Sequence, residues 1–245
     1  VSPSPATDDR YASTAEAFFG GLRAAASSVL TYTLFVTYIG VGALAHDVHF
    51  SLPWAVISTV LVWAAPAQII FLTTIAAGGS GLQAALAVTL SAIRLMPMVV
   101  ALLPMMRDRD TRAWHLVLPT HFTAVTMWVE SYRLLPQVPR RRRVAFVHGL
   151  GCGLVAVSSV ATAIGYGLAA NLPPLLGAAV LFLTPMSFLV STARSSRSRI
   201  DRIALGLGLV STPLIALAKT GVDVLLGGVL AGSLAYGWDR WRRRA

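Results

Sequence analysis

Apolar runs recur along this chain at lengths close to what a bilayer requires. A membrane helix needs about 20 mostly apolar residues. Eight segments approach or exceed that length: 22–45, 52–77, 82–103, 114–129, 144–170, 175–193, 203–218 and 222–238. The fourth is the weakest, being short, carrying His115 and His121, and ending at Glu130. Turn-forming clusters separate several runs: Gly78-Gly79-Ser80-Gly81, Asn171-Leu172-Pro173-Pro174 and Lys219-Thr220-Gly221. Proline stands inside several of them, notably at Pro66, Pro97, Pro185 and Pro213. The pattern predicts an all-α, polytopic helical membrane protein with about eight embedded segments, some of them broken at proline.

Composition removes the alternatives. Hydrophobic residues make up 56% of the 245 and charged residues 12%, against about 25% charged in soluble domains. Mean hydropathy is +0.69. A soluble globule of this size could not cover its surface with so few charges, and a disordered chain is not this apolar. The expected organisation is a polar tail over residues 1–16, one transmembrane domain over 17–238 and a basic tail over 239–245. The start, Val1 to Arg10, is polar and acidic, so no cleavable signal peptide is expected.

The net charge of +10 would suggest nucleic acid in a soluble domain. No aromatic-interleaved basic face accompanies it, and no nucleic-acid partner is expected. Nineteen of the twenty basic residues are Arg, and sixteen of these fall in four clusters between apolar runs. Membrane proteins mark their cytoplasmic loops in this way. Loops 133–143 and 194–202 and the C-terminal tail are therefore expected in the cytoplasm. Eight crossings, the first choice, put both termini inside and leave the cluster at 107–112 outside, against the rule. Six crossings, with segments two and four re-entrant, remove that conflict.

The halves look alike. A long helix followed by breaks at Pro66 and Pro97 matches a long helix followed by breaks at Pro185 and Pro213. Paired interrupted helices in matching halves are a pointer to a transporter built from internal repeats, although proline is common in membrane helices anyway.

Arg94 is the sharpest candidate. A guanidinium at mid-bilayer costs at least about 2.5–3.5 kcal/mol, so it should face the bundle interior or a watered cavity and hold a carboxylate. The structural alternative is an Arg capping carbonyls freed by a helix break. In Trp63-Ala64-Ala65-Pro66-Ala67-Gln68, Pro66 frees a carbonyl and Gln68 offers both a donor and an acceptor. Trp63 and Ile69 would receive an apolar side chain. Thr184 and Ser187 flank the matching break at Pro185. His121 and Glu130 could relay protons, or Glu130 could simply pair with Arg133 at helix spacing. His46, Asp47 and His49 read as a solvated loop, not a metal site. Cys152 is the only cysteine and reads as a packing residue. No nucleophile elbow, zinc motif or phosphate loop is present, so neither enzymatic activity nor a cofactor is expected.

With Ala64-Ala65-Pro66-Ala67-Gln68, the turn Gly78-Gly79-Ser80-Gly81 and then Ala92-Ile93-Arg94, the chain resembles the AzlC family of bacterial branched-chain amino acid exporters. The layout agrees over about residues 17–240. Ala92 stands where the family has Asn, Pro66 replaces a small residue, and Thr123-Ala124-Val125 lacks the acids of a Thr-Asp-Glu-like stretch. The resemblance implies an inner-membrane secondary transporter that exports Leu, Ile, Val and similar small amino acids. It also implies a small AzlD-like membrane subunit as partner. Small-residue faces such as Gly206-Leu207-Gly208 leave a non-transporting scaffold as the alternative reading, and a small-solute channel as a third.

Overall fold

The structure is a computed structural model that describes residues 11–108, 110–171, 199–217 and 223–242, with isolated positions between 173 and 193. Among them every regular element is helical and none is a strand. The chain divides into two compact units, residues 1–184 and 185–245. Each is taken by itself.

The first unit opens with α1 (Thr14–Ser27) and α2 (Val29–Asp47). The expected single segment 22–45 is thus two helices, the first beginning well before Leu22. Ser13 caps α1, its hydroxyl accepting from the Glu16 N–H while the Glu16 carboxylate accepts from Ala12. Ser28 makes the break. It ends α1 in an extended conformation and caps α2, where its hydroxyl accepts from the Leu30 N–H. Serine suits this position because its side chain satisfies a donor that the second helix leaves orphaned.

Both helices lie along α9 (Arg143–Asn171), an uninterrupted helix of 29 residues. Glycines make that contact possible. A Cβ on Gly21 would collide with the Phe146 carbonyl, and one on Gly149 with the Phe18 carbonyl. Gly42 meets Thr162 and Gly165 meets Ile39 in the same reciprocal way along α2. Small residues at helix contacts let backbones approach closely in lipid, where van der Waals packing drives association.

Segment two also divides, into α3 (Leu52–Leu61) and α4 (Ala65–Ala76). The break lies at residues 62–64, just upstream of the expected one. Pro66 sits in the first turn of α4, where its missing N–H costs nothing. The two helices double back on each other. The Gln68 amide reaches the Ala55 carbonyl at 3.3 Å, and the rings of Phe50 and Phe71 lie 5.8 Å apart. Laid end to end, Phe50 and Phe71 would be about 30 Å apart at 1.5 Å per residue. Segment two is therefore a helical hairpin with its tip at 62–64, the folded-back shape that the six-crossing arrangement requires of it.

The turn at residues 77–80 places Gly78 at a φ of +78°, and Ser80 with Gln83 forms a capping box that starts α5 (Gly81–Ala92). A 3-10 turn at Ile93–Leu95 joins α5 to α6 (Met96–Met106). Pro97 explains the tightened turn: it has no N–H for the Ile93 carbonyl, which accepts from Met96 instead. Segment four is not one helix. It comprises a 3-10 turn, Ala113–Leu116, then α7 (Val117–Phe122) and α8 (Val125–Leu134).

Among the described residues three helical stretches are long and apolar enough to cross a membrane: Val29–Asp47, Gly81–Met106 and Arg140–Asn171. The hairpin helices α3 and α4 are apolar but short.

In the second unit α10 (Arg199–Ala216) packs against α11 (Asp223–Arg242). Pro213, expected to break its helix, lies inside α10 near its end, and the helix runs through it. Helix α11 carries the basic tail onward to Arg242.

Candidate functional site

The hairpin tip meets a second helix break. Trp63 is buried, and its indole N–H donates to the Phe122 carbonyl at 2.7 Å. His121 Nε2 lies 2.8 Å from the Val60 carbonyl. A carbonyl can only accept, so that ring nitrogen carries the proton. Each break thus supplies a side chain to a carbonyl of the other: Phe122 ends α7, where its carbonyl also accepts from the Ala124 N–H, and Val60 lies in the last turn of α3. On its far side Trp63 stacks on Tyr38 of α2, with centroids 6.0 Å apart and planes 8° from parallel.

Behind the tip lies a closed polar cluster. Gln68 is fully buried on α4. Its amide nitrogen donates toward Ser58 Oγ and Thr59 Oγ1, both at 2.9 Å, and the Ala55 carbonyl. Thr59 Oγ1 also lies 3.0 Å from Thr162 Oγ1 on α9. The Ser58 and Thr59 hydroxyls both turn to the Ala55 carbonyl. One carbonyl is crowded with donors, yet Gln68 Oε1 is buried and has no partner. Turning the amide over would pair the oxygen with the two hydroxyls and orphan the NH2 group instead. Either way one buried polar atom is left for something else to satisfy.

The first-turn N–H groups of α4 add to this. Gln68 N donates to the Ala64 carbonyl, but Ala65 and Ala67 have no carbonyl one helical turn behind them within the helix. The start of α4 therefore presents positive partial charge at the hairpin tip. Irregular backbone at membrane depth is tolerated where it is buried in protein or lines a cavity.

A third break is tied in from α8. The Glu130 carboxylate is 4% exposed and accepts from Arg133 at 2.5 and 3.0 Å. Its other oxygen accepts from the Ser28 hydroxyl at the α1–α2 break. The pair at helix spacing is present, and Glu130 also holds two helices in register.

The sequence-derived candidates are thus only partly gathered. Trp63, Gln68 and His121 converge on the hairpin, and Pro66 is half-buried beside them. Glu130 lies apart, at the α1–α2 break. Thr184 and Ser187 fall outside the described residues. Arg94 departs from expectation. It does not turn inward but is exposed on the 3-10 turn between α5 and α6, with no hydrogen bond or ion pair among the described residues. The reason is the helix that carries it, of whose apolar window only 6% is buried. His46 and Asp47 lie 3.4 Å apart at the partly exposed end of α2. Among the described residues no group of three His, Cys, Asp or Glu could hold a metal.

Sequence reasoning missed Ser58, Thr59, Thr162, Tyr38 and Ser28. A signal existed for some: Ser58-Thr59 interrupts an apolar run, and Ser158 and Thr162 stand one helical turn apart in another.

Residues 29–172 match the family model described as AzlC protein. No curated protein and no solved structure matches the chain.

Proposed function

The chain belongs to the AzlC family, which is associated with branched-chain amino acid transport, and from that premise we propose that it exports branched-chain or similar small amino acids. The proposed setting is a bacterial inner membrane, with the Arg-rich loops and the C-terminus in the cytoplasm and a small AzlD-like membrane subunit as partner.

The observation that carries the site is the unpartnered Gln68 Oε1 behind the hairpin tip. A zwitterionic amino acid presents a carboxylate, an ammonium and an apolar side chain. The N–H groups at the start of α4 suit the carboxylate, as half-helix ends do in other transporter architectures. Gln68 Oε1 suits the ammonium, and if the amide is turned over its NH2 suits the carboxylate. Trp63 and Ile69 suit the side chain. We assign the carboxylate to the hairpin rather than to Arg94, because Arg94 stands exposed on another helix. Thr184 and Ser187, outside the described residues, remain candidates on the sequence alone. Transport is driven by an ion gradient, with His121 and Glu130 as proposed coupling groups.

The test is efflux of labelled leucine from loaded vesicles, with and without a pH gradient. Gln68→Leu keeps the volume and removes both polar atoms. Loss of one interhelical hydrogen-bonding group costs about 0.6–1.7 kcal/mol in membrane proteins, so the variant should still insert. Leucine efflux should fall at least tenfold at unchanged protein level. Undiminished efflux would overturn the site.

A further inference from the structure

Arg94 stands 13 residues from the start and 12 from the end of the 26-residue stretch Gly81–Met106. At 1.5 Å per residue that is mid-span, about 18–20 Å from either end. Of this stretch's most apolar window 6% is buried, against 44% for Val29–Asp47 and 56% for Arg140–Asn171. Leu82, Leu86 and Leu90 lead to Arg94 at four-residue spacing and are 71%, 56% and 68% exposed. An i, i+4 row of large side chains is the ridge that a neighbouring helix packs against. A charge in the middle of such a ridge cannot face lipid without a cost of at least about 2.5–3.5 kcal/mol.

The chain offers no counter-charge at that depth. Its ten acids are Asp8, Asp9, Glu16, Asp47, Asp108, Asp110, Glu130, Asp201, Asp223 and Asp239. Asp8 and Asp9 lie in the polar tail. Glu16, Asp47, Asp201, Asp223 and Asp239 lie within about a turn of a helix end, and Asp108 and Asp110 follow the end of α6. Glu130 is committed to Arg133 and Ser28. A second copy of this chain would bring another Arg94 and no mid-span carboxylate. Lipid phosphates lie at the membrane faces, beyond about 15 Å of hydrocarbon.

We infer that the α5–α6 face of Arg94 docks a transmembrane helix of a second polypeptide carrying an Asp or Glu near mid-span. The leucine row supplies packing, and the Arg94–carboxylate pair fixes depth and register. The inference rests on the two-subunit reading above and deepens it by naming the docking face and its chemistry.

The experiment co-expresses the full chain with a small AzlD-like membrane polypeptide from the same genome and measures co-purification in mild detergent. A photo-crosslinking side chain at Leu90 reads contact directly in membranes. The expected results are crosslinking from Leu90 to the small chain, and co-purification at least tenfold lower for Arg94→Glu. Arg94→Lys should keep most of it. Changing the partner's mid-span acid to Arg should restore pairing with Arg94→Glu, which separates a lost contact from a misfolded chain. Undiminished co-purification of Arg94→Glu, crosslinks from Leu90 to lipid or a second copy alone, or loss without rescue by the charge swap would each overturn the inference. So would Arg94 variants that lose leucine efflux while pairing normally, which would return Arg94 to the substrate. If the small chain never co-purifies with the unaltered protein, the two-subunit reading itself fails.

Discussion

Trp63 joins two functions in one side chain. Its ring stacks on Tyr38 and its N–H closes the Phe122 carbonyl. Trp63→Phe keeps an aromatic ring against Tyr38 and removes the indole donor, which leaves Phe122 O with the Ala124 N–H alone. The expected cost is about 0.6–1.7 kcal/mol, read as a lower melting temperature in detergent. Trp63→Leu should cost more, because the stack goes as well. A Trp63→Phe protein that melts with the unaltered one would show that the Trp63–Phe122 hydrogen bond adds nothing to the packing and to the His121–Val60 bond. Glu130 makes the contrasting case of a buried carboxylate with two charge-assisted hydrogen bonds from Arg133 on one side and a hydroxyl on the other. Glu130→Gln preserves its shape and removes the charge. If Glu130 couples proton movement, leucine exchange across vesicles should persist while efflux stops responding to an imposed pH gradient. A full response in Glu130→Gln would leave the residue a structural tie between α8 and the α1–α2 break.

At the scale of elements, helix contacts rest on a few glycines that the apolar pattern does not single out. Gly149 and Gly42 leave no room for a Cβ, which would strike backbone rather than a movable side chain. Gly149→Val or Gly42→Val should therefore force α1 or α2 away from α9, at about 1–3 kcal/mol or more. Gly167, on the same helix α9, has open space around it, and Gly167→Ala should stabilise by up to about 1 kcal/mol through helix propensity. Melting of the three variants in one detergent tests the contrast. The same scale shows what the sequence made legible. Hydrophobic length located the long helices at Gly81–Met106, Arg143–Asn171, Arg199–Ala216 and Asp223–Arg242, while the segment expected at 175–193 lies outside the described residues. Length did not locate the breaks at Ser28 and 123–124, since neither carries a proline and a capping hydroxyl has no distinctive period. Pro213 erred the other way: it withholds one N–H near the helix end, and the helix nevertheless runs on to Ala216. Trp63, Gln68 and His121 were legible as unusual residue types in apolar runs. Their convergence was not, because it depends on α3 and α4 folding back.

For the whole molecule, that fold-back changes sidedness. If α3 and α4 crossed the membrane together, the turns at 46–51 and 78–80 would lie on opposite faces, and Arg107, Arg109 and Arg112 would lie outside against the positive-inside tendency. If the folded-back pair is re-entrant, it returns the chain to the face it left. The turns would then share the outer face, and Gly81–Met106 would carry the three Arg inward. Cys152 is the chain's single cysteine, so a Cys152→Ala background lets introduced cysteines report topology one at a time. Asp47→Cys and Ser80→Cys should both react with a membrane-impermeant maleimide added outside intact cells. Thr111→Cys should react only after the inner face is opened. Labelling of Ser80→Cys only after permeabilisation would make segment two a true crossing. It would also remove the hairpin tip that the proposed substrate site depends on.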